Sequence, residues 1–199
     1  MDEEKKTGLI AVIIVLVVFG SIGIVAYKMV NKDKYTYTSP SGEEFWVRKL
    51  PIGGYALTIN INNNLHELNF RNDPKSVKDI PIDKGIRDLI LDKNVLYVTV
   101  DPELSVNSTM GVNGLFTSLR SFDLPNFRVD DGTTKFFRNS TKIITCENVT
   151  KTTTVLWLRL GQETKVFSED GCIIVQGTEE WEIVKATDRL TYQLLTLMD

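Results

Sequence analysis

The sequence predicts an α+β fold, in which a mixed β-sheet is covered by at least two helices and preceded by one N-terminal transmembrane helix. Three observations indicate this fold. Twenty uncharged residues stand near the N-terminus, strand-like apolar patterns recur from residue 35 onward, and residues 179–197 follow a helical period. The chain therefore divides into a short tail (1–7), a transmembrane helix (8–27), a linker (28–34) and one α+β domain (35–199).

The apolar run from Gly8 to Tyr27 is long enough to cross a membrane. A helix rises about 1.5 Å per residue, so twenty residues cover about 30 Å, the thickness of the hydrocarbon layer. A cleaved secretory signal is a competing interpretation, but its apolar region usually ends after roughly 7–15 residues. A pilin-type signal processed after Gly8 is another, although Ile13 stands where that family usually has glutamate. The length of the run favours an uncleaved anchor.

Two cysteines and three glycosylation sequons lie in the predicted domain. The two cysteines, Cys146 and Cys172, are enough for one disulfide. The alternative to a disulfide is that both are buried free thiols. The sequons begin at Asn107, Asn139 and Asn148. Because disulfides and glycans belong to extracytoplasmic compartments, these residues predict that the domain lies outside the cell membrane and the N-terminal tail in the cytoplasm. Two lysines precede the apolar run and three follow it, so the lysine count alone slightly favours the opposite orientation. A long domain, however, is translocated largely regardless of nearby charge.

Most strands and helices can be read from the pattern of apolar residues. Asn62 to Asn64 predict a hairpin turn between two strands, and Asp170-Gly171 predicts another turn before the last strand. Thr178 is expected to cap the final helix, and residues 123–142 are expected to be irregular. The predicted strands cover 35–38, 43–50, 55–61, 65–70, 95–100, 142–146, 154–160, 164–169 and 172–177, and the predicted helices cover 108–122 and 179–197. The three tryptophans are expected to anchor the core: Trp46, Trp157 and Trp181.

Charge and motifs exclude several classes of function. The net charge is −3, with 23 basic and 26 acidic side chains, and nucleic-acid binding needs a clear cationic excess. A nucleophile elbow, zinc-ligand spacing and a nucleotide-binding glycine loop are all missing from the sequence. We therefore predict no catalytic residue, no cofactor and no metal. An envelope hydrolase that uses Asp73, Asp101 or His66 remains an alternative.

The segment "FRNDP" (70–74) brings a cation and an anion together where a strand ends. Arg71 and Asp73 are therefore candidate residues for an interaction with a partner. The competing interpretation is structural, because Asn and Asp before Pro74 favour a turn.

The layout resembles a group of uncharacterised archaeal single-pass membrane-anchored proteins with an extracytoplasmic α/β domain. The residues that carry this resemblance are "KKTGLIAVIIVLVVFG", "FRNDP", "VTVDPEL", "ITCEN" and "CIIVQGTEEWEIVKATDRLTYQLL". The resemblance implies an envelope protein whose C-terminal domain lies outside, and it implies no activity. Residues 105–140 depart most from the group.

Together these observations predict a membrane-anchored extracytoplasmic interaction or scaffold domain of the cell envelope. Its partners would be membrane lipid, through residues 8–27, and an envelope protein of unknown identity. A pilin-like filament subunit processed after Gly8 is the first alternative, and the hydrolase is the second.

Overall fold

The computed structural model describes residue 13 and residues 16–24, 33–61, 63–121, 127–136 and 142–199. The chain divides into two compact units, Met1–Tyr35 and Thr36–Asp199. Residues 16–24 are helical (α1). Within the described ranges, no helix combines the length and apolar character that a membrane crossing requires. The predicted tail and much of the predicted span 8–27 lie outside the described residues, and the anchor stays a prediction.

From residue 34 onward the chain is α+β, as the sequence predicts. Its strands are β1 (Lys34–Thr38), β2 (Glu44–Lys49), β3 (Tyr55–Ile61), β4 (Asn64–Phe70), β5 (Val95–Val100), β6 (Arg128–Thr133), β7 (Thr153–Leu160), β8 (Lys165–Glu169) and β9 (Cys172–Gly177). Its helices are α2 (Pro74–Val77), α3 (Ile86–Leu91), α4 (Val112–Ser121) and α5 (Glu180–Leu194), with 3₁₀ turns at Val106–Thr109 and Cys146–Asn148.

The strands form two sheets rather than the one that the sequence predicts. The first sheet has the order β1-β2-β3-β4, with β2, β3 and β4 antiparallel. Leu57 lies opposite Val47 on one side and Leu68 on the other, and all three side chains are buried. Asn63 has a φ of 64°, in the predicted asparagine turn between β3 and β4.

The second sheet has the order β6-β5-β7-β9-β8. Strands β6, β5, β7 and β9 run parallel, and β8 is antiparallel to β9. Asp170 and Gly171 both have positive φ and form the predicted turn between β8 and β9.

One face of the second sheet carries an extensive apolar core. Because side chains alternate between faces, the core residues within one strand stand two positions apart. The strand residues are Leu96, Val98, Leu156, Leu158, Val166, Ile173 and Val175, and the helical residues are Ile86, Ile90, Val112, Leu115, Leu119, Ile183, Ala186, Leu190 and Leu194. Helices α3, α4 and α5 therefore cover this face.

Among the described residues, the segment 142–150 covers part of the other face of the second sheet. Ile144 packs there with Val155 and Cys172. A disulfide joins Cys146 to Cys172, with Cα atoms 5.3 Å apart, and confirms the predicted bridge. We call this segment the strap.

Helix α5 also contacts the end of the first sheet. Asp188 Oδ2 accepts hydrogen bonds from the backbone N–H of Arg71 (3.1 Å) and of Asn72 (2.8 Å), and from the Asn72 side-chain amide (2.9 Å). Tyr192 donates its hydroxyl to the carbonyl of Asn72 at 2.6 Å and stacks on Phe70, with ring centroids 4.3 Å apart. We call these contacts the α5 clasp, since they hold the β4–α2 turn against the helix.

Two predictions about strands are wrong. Residues 142–146 do not form a full strand. Ile143 makes a single bridge to Thr133, and Thr145 then caps the 3₁₀ turn that follows. Strand β6 lies within the stretch that was expected to be irregular, where it pairs in parallel with β5.

Two predictions about single residues are also wrong. Glu179 rather than Thr178 occupies the N-cap of α5, with no hydrogen bond from its side chain to the helix. Trp46 is 63% exposed on the first sheet and Trp181 is 42% exposed on α5, so neither is a core anchor. Trp157 is half-buried at the uncovered part of the second sheet.

Candidate functional site

The parallel strands of the second sheet end at one common edge. After β5 the chain continues to β6, which lies on one side of β5. After β7 it continues to β8 and then to β9, both of which lie on the other side. In open parallel sheets, ligands bind outside the carboxyl ends of the strands where the connections diverge in this way. A ligand-binding site is therefore expected at the residues that follow β5, β7 and β9.

A cleft of about 960 Å³ occupies this edge and extends onto the uncovered part of the sheet. We call it the carboxyl-edge cleft. Its lining comes from the residues after β5, from the β7–β8 loop, from the exposed face of β7, β8 and β9, and from the start of α5: Asp101, Glu103, Leu104, Trp157, 159–163, Lys165, Phe167, Glu169, Gln176 and Glu180.

Aromatic rings and cations alternate at the centre of the cleft. The guanidinium carbon of Arg159 lies 4.9 Å from the ring centroid of Trp157 and 5.5 Å from that of Phe167. The ammonium group of Lys165 lies 4.8 Å from the Phe167 centroid. These distances are within the range of cation–π attraction. The cluster follows from strand alternation, since Trp157 and Arg159 share a face of β7, and Lys165 and Phe167 share a face of β8.

Hydrogen bonds fix the cations of this cluster. Arg159 donates from Nε to Gln176 Oε1 at 3.1 Å, and Gln176 donates from Nε2 to the carbonyl of Glu163 at 2.9 Å. Lys165 pairs with the Glu163 carboxylate at 3.0 Å. Trp157 Nε1 is buried and has no hydrogen-bond acceptor among the described residues. Buried indole N–H groups usually have an acceptor, and this one is an exception among the described residues.

Carboxylates form the rim of the cleft on the β5 side. Lys135 lies 3.5 Å from Asp101 and 3.4 Å from Glu103, and these carboxylates, Asp101 first, raise the pKa of its ammonium group. Glu180 accepts hydrogen bonds from the hydroxyl and the backbone N–H of Ser105, and these bonds lower the pKa of its carboxyl group. The rim carboxylates are therefore tied to neighbouring groups.

The arrangement of side chains in the cleft is suited to binding a ligand or a partner through aromatic and charged groups. It offers flat aromatic faces and two cations held by neighbouring groups, surrounded by five carboxylates, namely Asp101, Glu103, Glu163, Glu169 and Glu180. The described residues contain no group of three or more histidine, cysteine or acidic side chains that could hold a metal ion.

The structure does not bring the predicted interaction residues into this cleft. Asp73 is the N-cap of α2, where its Oδ1 accepts hydrogen bonds from the backbone N–H groups of Lys75 (2.8 Å) and Ser76 (3.2 Å). Arg71 is exposed beside the α5 clasp and lines a separate, smaller cavity.

The three residues of the hydrolase alternative stand on separate elements. Asp101 follows β5 at the cleft, Asp73 begins α2, and His66 lies in the middle of β4 opposite Ile59. Asp101 is the one of the three that lines the carboxyl-edge cleft.

Two of the three sequons fall on described residues. Asn107 is exposed in the first 3₁₀ turn, and Asn148 is exposed in the second, where its Oδ1 accepts a hydrogen bond from the Thr145 backbone N–H at 2.9 Å. Asn139 lies outside the described residues. Glycosylation of all three stays a prediction.

Of the residues that line the cleft, the sequence singles out Asp101, as a candidate of the hydrolase alternative, and Trp157, as a core anchor. Arg159, Lys165 and Phe167 are predicted only as parts of strands. One feature of the sequence does indicate an accessible face: Arg159 follows Trp157 by two residues in an apolar strand, so both side chains lie on the same face. This feature does not show which part of the sheet the strap leaves open.

Comparison of the chain with protein-family models, with curated proteins and with solved structures gave no match. The resemblance to archaeal membrane-anchored proteins therefore stays an expectation from the sequence.

Proposed function

We propose that the chain is a membrane-anchored, extracytoplasmic binding domain of the cell envelope, which holds a protein partner in the carboxyl-edge cleft. The Cys146–Cys172 disulfide supports an oxidising compartment, because such bridges are rare where thiols are kept reduced. The predicted helix 8–27 would tether the domain to the membrane, with the N-terminal tail in the cytoplasm.

The uncovered half of the second sheet carries this proposal. Parallel sheets are normally covered on both faces, because their strands are rich in apolar residues. In the part of the chain that the structure describes, helices cover one face, and the strap covers the other face around Cys172. The remaining part presents Trp157 and Phe167 together with fixed cations, a composition enriched in protein interfaces.

The edges of the same sheet are less suited to a partner. Residues 81–83 run along β8, where Val166 exchanges hydrogen bonds with Pro81 and Asp83. On the opposite side, Thr133 of β6 exchanges hydrogen bonds with Lys142 and Ile144 of the strap. Both outer strands are therefore already paired in part, and addition of a partner strand would have to displace these segments.

The charges in the cleft indicate what the partner presents. A carboxylate or carbonyl next to an apolar side chain would match Arg159, Lys165 and the aromatic rings beside them. Basic groups at the periphery of the partner would match the rim carboxylates.

Site-specific photocrosslinking in intact membranes tests the proposal. A benzophenone amino acid replaces Phe167 in the cleft, and a second variant carries it at Leu65, which is 77% exposed on the first sheet. We expect a discrete crosslinked partner from position 167 and none from position 65. Equal crosslinking from both positions, or none from 167, would overturn the proposed site.

Co-purification with charge-reversal variants provides a second test. Arg159→Glu is expected to release the partner, whereas Arg48→Glu, on an arginine of the first sheet that is 41% exposed, is expected to retain it. A chain that elutes alone from solubilised membranes would count against any binding role. Protease treatment of intact cells tests the orientation, and N-terminal sequencing separates an intact anchor from a filament subunit processed after Gly8.

A further inference from the structure

The face of the first sheet that carries Trp46 also carries a groove, which we call the Trp46 groove. The pairing register places Trp46, Thr58 and Glu67 in one row across β2, β3 and β4, and places Asn60 opposite Leu65 in the next row. The volume of the groove is about 630 Å³, and at about 30 Å³ per water molecule it has room for roughly twenty waters. Its lining residues are Glu43, Glu44, Phe45, Trp46, Thr58, Asn60, Asn63 and Leu65.

Two large apolar side chains of the groove are open to solvent. Trp46 is 63% exposed and Leu65 is 77% exposed. They stand on β2 and β4, the two neighbours of β3, so at about 4.8 Å per strand roughly 10 Å separates them across the sheet. A ligand between them would cover apolar surface, and the indole of Trp46 offers it a flat aromatic ring.

Polar side chains without a positive charge complete the groove. Thr58 and Asn60 lie on β3 between the two apolar residues, Glu44 begins β2, and Asn63 lies in the turn before β4. No hydrogen bond or ion pair of these four side chains occurs in the described part of the chain. Hydroxyl and amide groups both donate and accept hydrogen bonds, and carboxylates accept them. The groove therefore suits a ligand that also carries both donors and acceptors.

Charge narrows the class of ligand further. Among the described residues that line the groove there are two carboxylates, Glu43 and Glu44, and no cation, and the nearby Arg48 is paired with Glu67 at 3.1 Å. Phosphate groups and acidic peptides are therefore disfavoured. A basic side chain only donates hydrogen bonds and would leave the amide donor of Asn60 unused. A wholly apolar surface would bury the polar groups of the groove without partners.

We propose that the Trp46 groove binds a neutral oligosaccharide, with one pyranose ring stacked on Trp46 and its hydroxyl groups bonded to Thr58, Asn60 and Glu44. A pyranose ring presents apolar C–H groups on its face and hydroxyl groups, which donate and accept, around its edge. It therefore matches both the indole and the polar side chains. This site is separate from the carboxyl-edge cleft and does not depend on the proposed partner. It places sugar rather than protein beside Leu65, where no protein crosslink is expected.

Isothermal titration calorimetry of the purified full chain tests this site. The neutral probes are maltohexaose, cellohexaose and chitohexaose, and the charged probes are hexagalacturonate and hexalysine. The chain is kept in a polyoxyethylene detergent, because a detergent with a sugar headgroup would compete for the groove. We expect at least one neutral probe to bind with a Kd of about 1 mM or tighter, and both charged probes to bind about tenfold more weakly or less.

Three variants and one control assign the binding to the groove. Trp46→Ala, at an exposed position, is expected to weaken binding of the neutral probe about tenfold or more, and Trp46→Phe, which keeps a flat ring, to weaken it less. Asn60→Ala, also at an exposed position, is expected to weaken binding by removing hydrogen bonds to the sugar. Trp181→Ala, at a tryptophan on α5 that is 42% exposed and does not line the groove, is expected to leave binding unchanged.

Three outcomes would overturn the proposal. The first is that no neutral probe binds the wild-type chain, or that Trp46→Ala binds it equally well. The second is that hexalysine binds more tightly than every neutral probe, which would show that the groove recognises positive charge. The third is that no sugar binds and Trp46→Ala lowers the sedimentation coefficient of the chain, which would assign this face to a second copy of the protein.

Discussion

Asn72 and Asp188 are 116 residues apart in the chain, yet the Asp188 carboxylate accepts hydrogen bonds from both the backbone N–H and the side-chain amide of Asn72. Both residues are buried, with exposed fractions of 7% and 1%. Water cannot replace these bonds, so the pair links the position of α5 to the end of the first sheet.

Removal of the Asp188 side chain is expected to destabilise the domain strongly. Asp188→Ala leaves the N–H groups of Arg71 and Asn72 without their acceptor, and we expect it to lower the free energy of unfolding by about 3 kcal/mol. Urea denaturation measures the change. Lys185→Ala, which breaks a surface ion pair on the same helix, is the control and should cost less than about 1 kcal/mol. Equal losses for the two variants would contradict the structural role of the clasp.

Stability is expected to depend on pH through Asp188. Burial raises the pKa of its carboxyl group to about 7, despite the opposing hydrogen bonds from Asn72 and Arg71. The folded state therefore holds this proton more tightly than the unfolded state, so the contribution of Asp188 to stability is largest below pH 4 and declines as the pH rises to 7. Asp188→Asn cannot titrate, and its urea midpoints at pH 4.5, 6 and 8 should lack this decline. A parallel pH profile for the two proteins would contradict the assignment.

The hydroxyl of Tyr192 is expected to contribute a smaller amount. Tyr192→Phe removes the 2.6 Å hydrogen bond to the Asn72 carbonyl but keeps the stacking on Phe70, and we expect a loss of about 1 kcal/mol. Tyr97→Phe, in which Lys142 lies over the ring, is the matched control and should change the stability little. A loss in Tyr97→Phe as large as in Tyr192→Phe would contradict the prediction.

The disulfide is expected to stabilise the domain by restricting the unfolded chain. Cys146 and Cys172 close a loop with a sequence separation of 26 residues, for which the chain-entropy estimate is about 3.5 kcal/mol. The double variant Cys146→Ala and Cys172→Ala should lose this amount, and a reducing agent should destabilise the wild type but not the double variant. Indifference of the wild type to reductant would show that the bridge contributes nothing.

Gly177 is expected to tolerate no side chain. A Cβ at this position would lie 2.3 Å from the Ile183 backbone nitrogen and 2.8 Å from the Glu179 carbonyl oxygen, because α5 begins directly against the end of β9. We expect Gly177→Ala to lower the free energy of unfolding by about 2 kcal/mol or more, since the neighbouring atoms belong to the backbone and cannot rotate away. A urea midpoint equal to that of the wild type would contradict this packing.

Elements with strong local patterns could be predicted from the sequence. The continuous apolar run of β5, the alternation of β3 and the helical face of α5 each show which residues are buried. Strand β6 could not be predicted, because "RVDDGT" has no apolar alternation and acquires its strand geometry by pairing with β5. The strap was predicted as a strand because "KIITC" has a β-type composition, whereas the disulfide draws Cys146 to the face of the sheet rather than to its edge.

The candidate sites were less accessible to sequence reasoning than the fold. Asp188 stands between polar neighbours on a predicted helix, and no local pattern shows that the β4–α2 turn buries it. Arg71 is a candidate because of its charge, but the hydrogen bond from its backbone N–H to Asp188 arises only in the folded chain. Contacts between residues this far apart in the chain depend on tertiary packing, and the local periodicity of the sequence does not show them.

The contacts of α5 with the second sheet and with the end of β4 have a consequence for biosynthesis. At about 5–20 residues per second, the ribosome would reach Asp188 on the order of 10 s after Asn72. Throughout that interval the nascent polypeptide lacks the helix that covers much of its apolar core. We therefore expect the emerging domain to be prone to aggregation until this last helix has been synthesised.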